Sequence, residues 1–290
     1  MMSGVDFSVR KEEENSHLER IPTAVADFDA IIGGGVPRGS LIILKSEVGA
    51  GHLEFVITSM AKLILAKEDK EFSDFFLKKS KGFLPEKFLF ITISRAKEDI
   101  LREVKGSFPQ DYYEAISRGV IFKDFSSEYF RATVVPPSWA GEDTSIFRKE
   151  KSSGNTLEEL IKFLDTNAPQ SMVVLDALTD LVVSKKIEFY DLVTLLKGLQ
   201  RIGKKWQGVI YLLLTSNILE PQKEILLMDS VDGVITFEWS RSTKTSRRQR
   251  FMYVEKFMPL LLHLDNERIT KFAIEINSQE GLVVSSYVRV

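Results

Sequence analysis

The chain has 290 residues, 44% of them apolar and 28% charged, enough to bury one large α/β core or two small ones. Its formal net charge of -2 excludes a global attraction to nucleic acid or to an anionic membrane, so any such contact has to be local. The absence of cysteine excludes disulfides, thiolate metal sites and a cysteine nucleophile, and no uncharged apolar run reaches the ~18 residues that cross a bilayer.

Residues 1–20 are polar, with the charge run Arg10-Lys11-Glu12-Glu13-Glu14, and read as a loosely ordered tail before a single core of residues 21–290. From Ile21 onward, short apolar runs alternate with longer helical patterns. The strand candidates are 41–45, 88–93, 119–122, 172–176 and 209–215, each followed or preceded by a helix-period segment at 53–67, 97–107, 156–166 or 188–202. The strands are continuously apolar rather than alternating, which predicts a mostly parallel sheet with helices on both faces. Thr156-Leu157-Glu158-Glu159 has the form of a capping box. Segment 124–155, with Pro136-Pro137 and Ser152-Ser153-Gly154, reads as an irregular surface loop or insertion. Beyond about residue 230 the pattern predicts strands at 233–239, 249–257, 271–276 and 282–289, joined by turns without intervening helices as antiparallel hairpins.

Residues 46–53 read Ser-Glu-Val-Gly-Ala-Gly-His-Leu after the strand Leu41-Ile42-Ile43-Leu44. A phosphate-binding P-loop reads Gly-x-x-x-x-Gly-Lys-[Ser/Thr], its Lys reaching the β/γ-phosphates and its hydroxyl ligating Mg²⁺. Gly49, Ala50 and Gly51 keep the turn, whereas His52 and Leu53 stand at the two chemical positions. Leucine cannot ligate a metal, and an ordinary histidine is mostly neutral at pH ~7. His17, His52 and His263 are too scattered for a metal-ligand spacing.

Several segments, in order, carry a family resemblance: Arg20-Ile21-Pro22-Thr23, Phe28-Asp29, Gly33-Gly34-Gly35-Val36-Pro37-Arg38-Gly39-Ser40, Val173-Val174-Leu175-Asp176, Asp232-Gly233-Val234-Ile235, Arg247-Arg248-Gln249-Arg250, Val254-Glu255-Lys256 and the closing strands Phe272–Ile276 and Gly281–Val284. Together they resemble the KaiC/RadA branch of RecA-superfamily P-loop ATPases, from about residue 20 to 288. The resemblance implies a RecA-like P-loop NTPase fold, with the Gly49–Gly51 turn and Asp176, the Walker B position, at the carboxyl ends of parallel strands. It implies a degenerate site: Ser46, His52 and Leu53 in the P-loop, Ser94-Arg95 where the family carries a Glu pair, and Lys256-Phe257-Met258 where it carries Lys-x-Arg from a neighbouring subunit. It also implies that Lys256 faces that neighbour, and that the partner is a second copy or a KaiC/RecA-like paralogue.

Each retained residue also has a plain structural reading. Asp176 could cap the next helix or bond a backbone N–H, the glycines could serve the turn alone, and His52 could be a hydrogen-bonding residue at a helix N-terminus. The basic run Arg241, Lys244, Arg247, Arg248 and Arg250 reads either as a solvated hairpin tip or as a phosphate, nucleic-acid or subunit contact. Three functions stay open: a cytoplasmic pseudo-ATPase acting as a scaffold or regulatory subunit, with weak ATP or ADP binding through backbone N–H groups; a divergent ATPase recruiting Lys45 or Arg95; and a recombinase paralogue binding DNA through the 241–250 hairpin.

Overall fold

The computed structural model describes residues 19–69, 73, 82–131, 133–136, 156–241 and 248–289. Two short strands, β1 (Arg20–Ile21) and β2 (Val36–Pro37), pair antiparallel on either side of α1 (Ala26–Ile31) in the chain. The Asp29 carboxylate ties this segment together, accepting hydrogen bonds from the Thr23 N–H, the Thr23 hydroxyl and the Ala24 N–H at 3.0, 2.7 and 2.8 Å. Burial pushes that carboxyl up to about 6, and the same three bonds hold it back.

β3 (Ser40–Ser46) follows and leads through a glycine turn into α2 (His52–Glu68). The chain continues through β4 (Lys87–Thr92), α3 (Lys97–Ser107), α4 (Gln110–Gly119), β5 (Val120–Asp124) and α5 (Ser126–Phe130). After the segment outside the described residues come α6 (Thr156–Asn167), β6 (Ser171–Asp176), α7 (Leu178–Val183), α8 (Phe189–Trp206) and β7 (Val209–Thr215). The last part is α9 (Pro221–Asp229), β8 (Gly233–Arg241), β9 (Arg248–Lys256), α10 (Met258–Glu267), β10 (Ile269–Asn277) and β11 (Gly281–Arg289).

Among the described residues, nine strands form one sheet in the order β11-β10-β9-β8-β3-β7-β6-β4-β5. From β8 to β5 every pairing is parallel, and from β8 to β11 every pairing is antiparallel. Successive side chains of a strand point to opposite faces, so each central strand feeds two cores. Ile42, Leu44, Phe90 and Val174 join α2, α3 and α4 on one face, whereas Leu41, Ile43, Ile91 and Val173 join α6 and α8 on the other. This is the α/β architecture expected from the continuous apolar strands: a mostly parallel sheet with helices on both sides and antiparallel strands at the C-terminal end. Among the described residues, no helix is long and apolar enough to cross a membrane.

Three details differ from the sequence expectation. α10 interrupts the C-terminal strands, where turns alone were expected, because Pro259 opens a helical turn and Leu260 and Leu264 bury at i, i+4 spacing. α4, α7 and α9 also lie where no helix was assigned; they are short, and α7 follows directly on a buried strand, so its own period is hidden. Glu19 and Arg20, within the expected tail, belong to the fold: the Arg20 guanidinium donates to the carbonyls of Ile32 and Gly35 at 3.1 and 2.7 Å. The rest of that tail, and most of the expected loop at 124–155, lie outside the described residues; the described start of that loop contains α5.

The larger core centres on aromatic edges, with Phe55 of α2 set 6.1 Å from Tyr211 and 5.7 Å from Phe237, ring to ring. Phe55 is fully buried, so Phe55→Ala should cost about 3–5 kcal/mol of unfolding free energy, read by chemical denaturation.

Candidate functional site

The strand register places four polar residues along one rim of the sheet. Ser46 at the end of β3 is opposite Thr215 of β7, and Asp176 at the end of β6 is opposite Thr92 of β4. The turn of residues 47–51 rises from that rim. Gly49 and Gly51 sit at φ of 74° and 121°, conformations that a side chain would strain, and Gly51 packs against Ile274, Ile276 and Leu282. Ala50 is fully buried.

The turn is fastened from outside by β8 and β9. The Glu47 N–H donates to the Phe237 carbonyl at 3.0 Å, and the Glu47 carboxylate accepts the Trp239 N–H at 3.0 Å. The Trp239 indole N–H donates to the Val48 carbonyl at 3.1 Å, and Arg250 Nε donates to the Gly49 carbonyl at 3.0 Å. The guanidinium groups of Arg248 and Arg250 lie 4.5 and 4.3 Å from the Trp239 ring centre, within cation–π reach. The carbonyls of Val48 and Gly49 are thereby held toward β8 and β9. Among the described residues, the N–H groups of Gly49, Gly51 and His52 have no acceptor.

His52 opens α2, whose N-cap is Gly51, and no side chain caps this terminus. The His52 ring makes no hydrogen bond among the described residues, so it is not the capping group that the plain reading of the sequence allowed. It keeps some surface exposure, yet the surrounding protein desolvates it and pushes its pKa down to about 4, leaving it neutral at neutral pH. The Leu53 side chain packs against the core.

Asp176 caps nothing either. The N-cap of α7 is Ala177, without a side-chain bond, and Asp176 Oδ2 is buried with no hydrogen-bond partner, as is the nearby Thr92 hydroxyl. Arg95 Nη1 stands 3.6 Å from that oxygen, close enough for attraction but too far for a hydrogen bond. The other end of Arg95 pairs with Glu103 of α3. Ser94 donates to Asp180 at 2.7 Å. Burial pushes the Asp176 carboxyl up to about 6; Arg95 opposes the shift, and Asp180 and Glu103 add to it.

Other residues singled out in the sequence are engaged elsewhere. Lys45 pairs with Glu255 at 2.7 Å and Glu224 at 3.6 Å. Lys256 donates to the carbonyls of Met228, Asp229 and Val231 at 2.9, 3.0 and 2.8 Å. Those bonds match its three donors and close the C-terminal end of α9 within the chain. Met258, beside it, is 77% exposed. Lys244, Arg247 and the Arg241 side chain lie outside the described residues; of the basic run, Arg248 and Arg250 are the two described side chains. Among the described residues, no cluster of His, Asp and Glu could hold a metal ion. Sequence reasoning missed the role of Glu47 and the pairing of Trp239 with Arg250, because both depend on the β8–β9 register.

A crystal structure of a KaiC-like protein from the hyperthermophilic archaeon Pyrococcus horikoshii is similar to this chain. The TM-score is 0.58 at 18% identity, covering 93% of this chain and 100% of that one. No family model matches the chain, and no curated protein matches it either. The strand order and this likeness establish a KaiC/RecA-like fold.

Asp176 gives a test of the rim's electrostatics. Its carboxyl titrates at about 6 in the folded protein against an ordinary 3.8, so the native state keeps a proton that the unfolded chain releases between those values. The cost of ionising it is fully present above about pH 6 and is relieved as the pH falls through that window. Asp176→Asn should therefore gain stability over the wild type at neutral pH, and the gain should shrink on acidification toward about pH 4. Denaturant unfolding of both proteins at the two pH values measures this. A gain that grows on acidification would contradict it.

Proposed function

We propose that this chain is a pseudo-ATPase: a catalytically degenerate RecA/KaiC-like protein that acts by binding, as a scaffold or regulatory subunit. The observation that carries the reading is the pair of residues opening α2, a desolvated, neutral His52 and a core-packed Leu53. A magnesium-bound triphosphate does not fit these side chains. Position 52 offers no cation at neutral pH and position 53 offers no oxygen, while Arg95 stands 3.6 Å from the otherwise unpartnered Asp176 Oδ2. Ser94 and Arg95 provide no carboxylate to orient a water. The two cations that a divergent ATPase could recruit, Lys45 and Arg95, are both held in ion pairs.

What the turn does offer is backbone. The free N–H groups of Gly49, Gly51 and His52 at the start of a 17-residue helix form a weak cradle for an anion. ATP or ADP would then bind weakly and without a metal requirement. The partner in this proposal is a second copy of the chain or a KaiC/RecA-like paralogue, in the cytoplasm, where a cysteine-free protein needs no oxidising environment.

Titration calorimetry with ATP, once with Mg²⁺ and once with EDTA, tests the reading together with a phosphate-release assay. The expected result is weak binding of equal affinity in both buffers and no turnover. Tight, metal-dependent binding with turnover would overturn it. The double variant His52→Lys with Leu53→Thr should raise nucleotide affinity by about tenfold or more, since a charge-assisted phosphate contact is restored.

A further inference from the structure

A cavity of about 210 Å³ opens beside the first turn of α2, apart from the rim that carries Asp176. Its walls are Leu53 and Ile57 of α2, Ile100 and Val104 of α3, Phe108 after α3, and Ile276 of β10. It exceeds the ~150 Å³ of an apolar cavity that accepts a benzene-sized guest. Two carboxylates, Glu54 and Glu103, also line it, together with Ser107, and no lysine, arginine or histidine does.

The two carboxylates are not equivalent. Glu103 is half-exposed and already paired with Arg95. Glu54 has no ion pair among the described residues. Burial raises its pKa; its own backbone N–H and the charge of Arg250 pull it back, and Glu103 adds a smaller push upward. A desolvated carboxylate without a direct counter-ion, at one side of an apolar space, favours a positive group there and repels a phosphate or carboxylate.

We propose that this cavity is a binding site for a small organic cation of the alkylammonium class, its chain lying against Ile57, Ile100 and Val104 and its ammonium group between Glu54 and Glu103. The apolar walls supply contact area and the carboxylates supply selection by charge. The cavity adjoins the turn: Leu53 is one of its walls, and Glu103 pairs with the Arg95 that faces Asp176.

Titration of the full chain with n-hexylammonium, with n-hexanol and hexanoate as controls, tests the proposal by calorimetry and by chemical-shift changes. The expected result is saturable one-to-one binding of the ammonium, binding of the alcohol weaker by about tenfold or more, and none of the acid anion. Glu54→Gln should remove most of the preference for ammonium over alcohol, whereas Val104→Trp should fill the space and abolish binding of both. Glu103→Gln provides a second reading of the charge effect on a half-exposed position, where folding is not at stake. Equal affinity for ammonium and alcohol, binding unchanged by Val104→Trp, or no saturation at millimolar ligand would overturn the proposal. The titrations are made without nucleotide, so their outcome is read separately from that of the ATP titration.

Discussion

Four consecutive aliphatic residues, Leu41 to Leu44, cannot lie in a strand with one wet face, because alternation would send two of them into water. Burying both faces of β3 requires a helical layer on each side, and it also requires strands on both edges. β7 and β8 supply those edges in parallel register, pairing Ser46 with Thr215 on one side and with Phe237 on the other. That register ends β3 at the rim, sends the chain upward through residues 47–51, and returns it as α2 with Phe55 inserted among Tyr211 and Phe237. The position of the turn is therefore a consequence of how the middle of the sheet is buried.

The shape of the turn is maintained by protein contacts. Glu47, Trp239 and Arg250 hold its outer side, while Ile274, Ile276 and Leu282 line the space beside Gly51. A loop fastened in this way keeps its glycine conformations without any phosphate to fold around. The positive φ angles of Gly49 and Gly51 are thus accounted for by protein contacts, beside a leucine at position 53. Arg250 contributes its charge to the outside of the turn, bound to a carbonyl and stacked on Trp239, rather than to the face where the N–H groups are free.

Much of the fold was legible because its strongest signals are local. The central strands and α2, α3, α6 and α8 are long enough for their apolar period to show, and the strand-to-helix turn at residues 46–53 marks its own position. Less of the site was legible, since its residues meet only through register and packing. Nothing in the local pattern around Trp239 or Arg250 announces a bond to residues 48 and 49, some 190 to 200 positions earlier. Lys256 follows the family pattern at a glance, yet its three bonds to the end of α9 come from a tertiary approach that the sequence does not encode locally. The run from Met258 to Leu264 failed for the opposite reason: a short, leucine-dense helix between two strands offers too few turns for a period to stand out.

A pseudo-ATPase requires that α2 cannot open onto a metal-bound triphosphate. A structure determined after soaking with ATP and Mg²⁺ tests this most directly. The expected result is no ordered magnesium at the turn, with Leu53 still packed against the core and any bound phosphate held by backbone N–H groups alone. A triphosphate seated at residues 47–53 with a magnesium ion coordinated by protein oxygens would contradict it.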